Sequence, residues 1–226
     1  MTQRRLRDVE LLGSPRHIAG LGERQDIFHL PEFAAIYPGI ETEVFTASGK
    51  KLFEELRSGR VDMVLLPLAG QDDLKGLSSE LIYSEELVLA AQAGRVADED
   101  RIPGKNAVKS GALNNADFFL LFPEHAMRSF CNRWFRHEHI RPNIKMEFSS
   151  NISCLRMAAT GMGYTIIPYL TTQLANPGAA VEYCSLSPEP ETWEVHIFYR
   201  KGVYLGEPEL KLIQIAKEQF GHESLR

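Results

Sequence analysis

Short apolar runs alternate with amphipathic stretches along the whole chain of 226 residues. This alternation is typical of α/β proteins, in which helices separate the strands of largely parallel sheets. The runs predict strands at residues 9–12, 40–45, 61–66, 87–91, 118–122, 144–148, 164–167 and 193–199. Because no internal repeat or low-complexity linker interrupts the pattern, we expect one α/β domain or two small ones.

Apolar residues at three- to four-residue spacing predict amphipathic helices between the strands. The stripes are Leu52, Phe53 and Leu56; Phe130, Trp134 and Phe135; and Leu210, Ile213, Ala216 and Phe220. Gly59 is expected to end the first helix as its C′ residue, because glycine adopts the left-handed conformation without strain. The second helix is expected to end near His139. We interpret all three stripes as core.

Composition narrows the possible functions. With 44% hydrophobic residues the chain can bury a core without a metal or disulfides. No run approaches the roughly 18 apolar residues that a membrane helix needs. A net charge of −5 argues against direct nucleic-acid binding, which depends on clustered Lys and Arg. The basic cluster Arg4, Arg5 and Arg7 leads into polar residues instead of a signal-peptide core, so we expect a cytoplasmic location and no membrane partner.

The cysteines Cys131, Cys154 and Cys184 are odd in number and widely spaced, which fits a reducing compartment. Cys131 belongs to an apolar helical stripe, and Cys154 belongs to the helix that follows Ser150. Both positions favour buried, inert thiols over a redox switch.

Signatures of catalysis and metal binding are weak. Gly13-Ser14-Pro15 lacks the second glycine of a nucleophile elbow, and residues 49–51 and 161–163 lack the further residues of nucleotide-binding loops. In His137-Glu138-His139 the histidines are two apart on a predicted helix, where they point away from each other. We therefore expect no catalytic residue, no cofactor and no metal. An enzyme would have to use His17, Glu124 or His125.

Small and polar residues gather where predicted strands give way to helices. In open α/β sheets, ligands bind beyond the carboxyl ends of strands, where helix N-termini present unpaired N–H groups. Junctions of suitable chemistry occur at residues 13–17, 46–49, 123–128 and 149–151. Ser14, Ser48 and Ser150 could equally be simple helix caps, and the residues alone leave both interpretations open.

Two segments carry a resemblance to a known family. Residues 30–67 contain YPGI and then LFEELRSGRVDMVLLP, and residues 157–168 read MAATGMGYTIIP. Together they resemble the effector-binding domain of LysR-type transcriptional regulators, over about residues 9–220. The resemblance implies an α/β, two-lobe fold of the type II periplasmic-binding-protein kind, in which two crossover strands join two Rossmann-like subdomains. Residues 9–90 and 188–226 would form subdomain I, residues 91–187 subdomain II, and residues 1–8 a leader.

The resemblance also implies a function and a site. A small-molecule effector would bind in the cleft between the lobes, and DNA would be bound only through an N-terminal winged helix-turn-helix that this sequence does not show. We expect either the sensor part of a longer regulator or a free-standing sensor. The expected ligand-binding residues are Ser14, Pro15, Arg16, Thr46, Ser48, Pro67, Pro123, His125, Met127, Arg128, Ser149, Ser150 and Pro168.

We expect the effector to be a small anion such as a carboxylate, because several helix N-termini converge and Arg16, His125 or Arg128 could supply charge. Pro67 stands where some regulators of this kind with aromatic-acid ligands carry an arginine, so that contact is missing. A transport-type solute-binding protein would share the fold but should carry an export signal. An enzyme on the same fold should have an acid or base of shifted pKa in the cleft.

The resemblance further implies a homodimer, and a tetramer in a full-length regulator. The helix after His17 and the strand at residues 40–45 would meet the helix of Phe130 and Trp134 from the partner. The expected reason is that this helix has more large apolar residues than one core face needs.

Overall fold

The computed structural model describes residues 16–20, 30–68 and 74–220. Its strands are β1 (Arg16–Gly20), β2 (Thr42–Thr46), β3 (Met63–Pro67), β4 (Leu77–Gln92), β5 (Asp117–Leu121), β6 (Asn143–Phe148), β7 (Thr165–Pro168), β8 (Val181–Ser185) and β9 (Thr192–Arg200). Its α-helices are α1 (Leu30–Ile36), α2 (Gly49–Ser58), α3 (Ala126–His137), α4 (Asn151–Ala159), α5 (Tyr169–Leu174) and α6 (Glu207–Phe220). The predicted α/β class is confirmed.

The chain divides into two compact units. Unit 1 comprises residues 1–83 and 194–223, and unit 2 comprises residues 84–193 and 224–226. β4 and β9 are the strands that pass from one unit into the other. The subdomain limits expected from the sequence, after residues 90 and 187, stay a prediction.

Unit 1 is built on strands in the order β2-β1-β3-β9-β4. β1 is parallel to both of its neighbours, whereas β9 is antiparallel to β3. The predicted stripe of α2 is confirmed as core, since Leu52, Phe53 and Leu56 are buried and pack in one cluster with Phe198. Gly59 ends α2 with φ of 81°, in the left-handed conformation that its prediction as the C′ residue requires.

The stripe of α6 is only partly core. Ile213, Ala216 and Phe220 are buried as predicted, but the prediction is wrong for Leu210, which is 54% exposed. Leu210 lies in the first turn of α6, before the first buried residue of that helix, Leu212.

The first strand that the structure describes was not predicted. Residues 9–12 lie outside the described residues, and β1 is formed by Arg16–Gly20. The strand-to-helix junction predicted at residues 13–17 is therefore wrong for Arg16 and His17, which belong to β1, and residues 18–20 continue the strand. Backbone pairing with strands on both sides determines β1, and its two polar leading residues give no apolar pattern.

Unit 2 combines antiparallel and parallel pairs. β4 pairs antiparallel with β7 and β8, of which β8 was not predicted, and β5 pairs parallel with β6. A parallel bridge from Phe118 to Tyr164 leads from β5 towards β7. The stripe of α3 is confirmed as core for Trp134 and Phe135, which are buried against Phe118, with Phe130 packed beside them.

The glycines of the MAATGMG segment have separate structural reasons. Gly161 follows α4 with φ of 81°, where other residues are strained. A Cβ on Gly163 would lie 2.7 Å from the carbonyl oxygen of Asp117, so the approach of this segment to β5 excludes a side chain. Among the residues that the structure describes, no helix has both the length and the apolar character needed to span a bilayer.

Candidate functional site

Parallel strands of unit 1 end together at one edge of their sheet. β2 ends at Thr46, β1 at Gly20 and β3 at Pro67, and Gly20 pairs in register with Thr46. The predicted binding residues Thr46, Ser48 and Pro67 therefore share this edge, which we call carboxyl edge 1.

Of the other residues predicted for this unit, Arg16 is described and does not join carboxyl edge 1. Arg16 is the first residue of β1, so it lies at the amino end of the strand that Gly20 completes. Ser14 and Pro15 lie outside the described residues. β1 reaches this edge at Gly20, whereas the prediction expected a strand end before residue 13.

Ser48 is a helix cap. It precedes α2 in an extended conformation, and its Oγ accepts a hydrogen bond of 3.5 Å from the backbone N–H of Lys51. The capping interpretation is therefore confirmed for Ser48. The bond is long, but the hydroxyl already has a partner within its own helix.

β9 brings to carboxyl edge 1 a histidine that sequence reasoning missed. His196 pairs in register with Leu66, next to Pro67, and is 9% exposed. Its Nε2 lies 3.2 Å from a carboxylate oxygen of Glu194, and its ring packs on that of Phe198 with centroids 5.8 Å apart. A single histidine in an apolar strand gives no sequence signal, because only the antiparallel pairing of β3 and β9 puts it at the edge.

Unit 2 has a second edge of this kind. Just beyond β5 and β6, the N–H of Phe122 donates to the carbonyl of Phe148 at 2.9 Å, and the parallel bridge near the start of β7 gives that strand the same direction. The predicted residues that follow these strand ends are Pro123, His125, Ser149, Ser150 and Pro168. We call this set carboxyl edge 2.

Two helices start at carboxyl edge 2 without a side-chain cap. His125 is the N-cap residue of α3 and Ser150 that of α4, and neither side chain accepts a hydrogen bond from its helix. The capping interpretation is therefore wrong for Ser150. Asn151 follows it, and its side-chain oxygen is buried with no hydrogen-bond partner in the described part of the chain. The first N–H groups of α3 and α4 are suited to an anion.

Two residues that were predicted to bind the ligand at this edge are buried in the core of unit 2. Met127 is 3% exposed and packs in the main cluster of unit 2. Arg128 is 7% exposed, and it donates to the carbonyl of Leu121 at 2.8 Å, to the amide oxygen of Asn132 at 3.1 Å and to Glu147. Since Glu147 already compensates the guanidinium charge, Arg128 ties α3 to the ends of β5 and β6. Met127 and Arg128 therefore do not enter the proposed site.

The carboxyl group of Glu85 is buried beside the start of α5, the helix that directly follows Pro168. Glu85, on β4, is 1% exposed. One of its oxygens accepts from the backbone N–H of Leu170 and the other from Nε1 of Trp193, each at 2.9 Å. Burial raises the pKa of Glu85 to about 7, against the opposite effect of the two donors. The junction after Pro168 thus already holds an internal acid.

The thiols of unit 2 are shielded. Cys131 and Cys154 are each 1% exposed, and burial raises the pKa of both, that of Cys154 to about 12. Because the thiolate is the reactive form, these values support the prediction of inert thiols. Within residues 16–20, 30–68 and 74–220, no group of three or more His, Cys, Asp or Glu side chains is arranged to hold a metal ion.

Comparison with known proteins gives a consistent result. Residues 27–221 match the family model described as LysR substrate binding domain. The Hydrogen peroxide-inducible genes activator of Haemophilus influenzae is 23% identical over 175 residues, which cover 76% of this chain and 55% of that protein. The chain spans about half the length of the curated relatives it matches.

Solved structures share the fold. The regulatory domain of CcmR from Synechocystis PCC6803, in complex with 2-PG, is 16% identical with a TM-score of 0.76, covering 91% of this chain and 96% of that one. A sulfate-bound variant of the OxyR2 regulatory domain from Vibrio vulnificus is 16% identical with a TM-score of 0.74, covering 92% and 96%. The predicted type II periplasmic-binding-protein-like fold is confirmed.

Proposed function

The chain belongs to the LysR substrate binding domain family, and from that premise we propose that it senses a small anionic effector for a cytoplasmic transcriptional regulator. The observation that carries the proposal is the pair of uncapped helix starts at carboxyl edge 2, where His125 and Ser150 precede α3 and α4. Each such start favours a negative charge by about 0.3–1 kcal/mol. The sulfate and 2-PG in the two solved neighbours support an acidic ligand.

The proposed site consists of backbone N–H groups with hydroxyl, amide and imidazole groups. Ser149, Ser150 and His125 contribute from carboxyl edge 2, with Pro123 and Pro168 shaping the strand ends. Thr46, Ser48 and Pro67 stay a separate set of predicted contacts at carboxyl edge 1 of unit 1. Without a free arginine at carboxyl edge 2, orientation comes from helix N–H groups rather than from a bidentate guanidinium.

The chain acts by binding and not by catalysis in this proposal. An effector that prefers one of two conformations shifts their equilibrium by its difference in affinity, and a DNA-binding domain in the same regulator would report that shift. The isolated chain should therefore give no specific gel shift with duplex DNA.

A thermal-shift screen of amino acids, aromatic acids and central metabolites tests the ligand class. An acid at about 100 times its dissociation constant should add about 2.7 kcal/mol to the free energy of unfolding. Stabilisation by neutral or cationic compounds alone would contradict the proposal.

Two serines offer a matched pair for locating the site. Ser150→Ala should weaken the binding of an acid confirmed by the screen. It should change the free energy of unfolding little, because Ser150 makes no cap bond. Ser48→Ala should instead lower the free energy of unfolding by up to about 1 kcal/mol through loss of its cap. Unchanged affinity in Ser150→Ala would exclude its hydroxyl from the site.

We also propose that the chain forms a homodimer through the outer face of α3. The apolar reason given by the sequence is wrong, because Trp134 is 4% exposed and packs inside unit 2. The outer face is instead basic, with Arg133 and Arg136 exposed beside a groove of about 570 Å³. The acidic surface that we propose as its counterpart on the other protomer is β2, at the edge of the unit 1 sheet, where Glu41 and Glu43 are exposed.

Charge reversal distinguishes this interface from others. Arg133→Glu with Arg136→Glu should shift the mass from dimer to monomer in light scattering at tens of micromolar. Adding Glu41→Arg and Glu43→Arg should restore the dimer, since each pair regains opposite charges. A dimer that survives the first pair of changes would show that the interface lies elsewhere.

A further inference from the structure

Glu85 connects three segments of unit 2 that are far apart in sequence. Its carboxyl oxygens bind Nε1 of Trp193, 108 positions away, and the backbone N–H of Leu170, 85 positions away. Trp193 is the last residue of unit 2 before the chain returns to unit 1, and Glu85 lies just after the opposite crossing. The carboxyl group of Glu85 therefore links β4 and β9, the two strands that pass between the units, to the start of α5.

The surroundings of Glu85 contain donors but no compensating cation. Burial raises its pKa to about 7, and no charged side chain among the described residues contributes to that value. The titratable groups nearest along the packed segments are Tyr83 and Glu86 on β4, Tyr169 on α5, and Glu191 and Glu194 on either side of Trp193; the carbonyl of Glu191 accepts from the N–H of Leu87. A second negative charge brought close to Glu85 would therefore make its carboxylate still less favourable.

Carboxyl edge 2 brings such a charge close. α5 begins after β7, and the parallel bridge leads from β7 to β5 and then to β6, whose ends precede α3 and α4. Neighbouring strands lie about 4.8 Å apart, so the ends of β5 and β6 lie within roughly 10 Å of the end of β7, and we take roughly 10 Å as the separation between an anion at this edge and Glu85. Leu170, which donates to Glu85, is at the start of α5.

We propose that an anion at carboxyl edge 2 binds together with a proton from solvent, and that Glu85 is the group that takes the proton up. The inference rests on the proposed anionic effector and adds regulation by pH to it. A protonated Glu85 keeps one oxygen as an acceptor for an N–H donor, so the acid still joins its segments while losing the charge that opposes the ligand. Anion affinity then rises as pH falls.

Coulomb's law sets the size of the effect. At a separation of roughly 10 Å and an effective dielectric constant of about 20, one negative charge raises the titration midpoint of Glu85 by about one pH unit. The same linkage strengthens anion binding about tenfold between a pH well above and a pH well below the midpoint.

The indole resonance of Trp193 reports the state of Glu85 directly. The chain has two tryptophans, and a Trp193→Phe variant assigns the two indole N–H signals in a ¹⁵N correlation spectrum. The Trp193 signal should titrate near neutral pH without ligand, and this titration should be absent in Glu85→Gln. Sodium sulfate should raise the midpoint by about two units relative to sodium chloride at equal ionic strength, because sulfate carries two negative charges.

His125, the N-cap residue of α3, is the competing site for that proton. Because His125 also belongs to the proposed anion site, His125→Gln is measured at saturating sulfate. The Trp193 signal should then keep its midpoint without ligand and its sulfate-dependent rise. Loss of that rise in His125→Gln, with Glu85→Gln still showing stronger sulfate binding at low pH, would assign the proton to His125 and overturn the inference.

The same samples separate the inference from the proposed function. If sulfate or an acid from the screen binds while the Trp193 midpoint stays constant, Glu85 takes up no proton and the inference alone fails. If no acid binds at any pH between 5 and 9, the anionic effector fails and the inference fails with it.

Discussion

Glu85 should also make the stability of the protein depend on pH in an unusual direction. Its folded pKa of about 7 lies above the ordinary value of 4.5. The folded chain therefore keeps the proton to higher pH than the unfolded chain does. The contribution of Glu85 to the free energy of unfolding is fully present below about pH 4.5 and is lost as the pH rises through about 7.

The magnitude follows from the shift. A difference of about 2.5 units between 4.5 and about 7 corresponds to about 3 kcal/mol, since one unit is about 1.4 kcal/mol. Glu85 is 1% exposed, so solvent screening does not reduce this figure substantially. In urea titrations, a loss of about 3 kcal/mol lowers the midpoint by roughly 1 M for a chain of this size.

The assay compares urea midpoints of the wild type and Glu85→Gln from pH 4.5 to 8.5. Glu85→Gln should match the wild type closely at low pH, because the amide and the protonated acid each keep one carbonyl oxygen as an acceptor for the two donors. It should then lack the decline of the wild type, so the two curves separate as the pH rises and Glu85→Gln is the more stable by about 3 kcal/mol above about pH 7. The exposed Glu189→Gln controls for removal of a carboxylate. Parallel curves for the wild type and Glu85→Gln would refute a raised pKa.

Three further outcomes follow from packing. Gly163→Ala should lower the free energy of unfolding by about 1–3 kcal/mol, because its Cβ meets backbone at 2.7 Å, whereas Gly39→Ala, with open space around it, should change little in the same urea titration. Arg128→Ala should cost about 2 kcal/mol by removing its buried hydrogen bonds, and the exposed Arg133→Ala should cost under about 0.5 kcal/mol. Cys131 should react with a disulfide reagent at pH 8 only after denaturation, and rapid reaction of the folded chain would contradict its burial.

The sequence predicted elements whose local pattern agrees with their tertiary role. Two elements could be predicted without long-range information: the apolar run that forms β5, and the stripe of Leu52, Phe53 and Leu56. The spacing of their apolar residues alone indicates that they are buried. The rule that ligands lie beyond strand ends also located carboxyl edge 2 at Pro123 to His125 and at Ser150. Whether these residues bind the effector stays a prediction.

Prediction failed where pairing with distant strands decides the structure. β1 begins with Arg16 and His17, and it is a strand because β2 and β3 pair with it on both sides. The sequence instead favoured the more apolar run at residues 9–12, and every expectation for Arg16 followed from that choice. Intrinsic strand preference is weak beside the backbone hydrogen bonds of a central strand.

Glu85 shows the same limit for the candidate site. In the sequence it belongs to SEEL, where two adjacent glutamates are typical of an exposed turn or helix end. The structure buries it, and the cost of that burial is offset by an indole from the end of unit 2 and a helix N–H that follows β7. Neither donor can be identified from residues near Glu85. Sequence rules that search loops for ligands find the groups that contact an effector, but a group that sets the pH dependence of binding can lie inside a strand, where only the packing of distant segments identifies it.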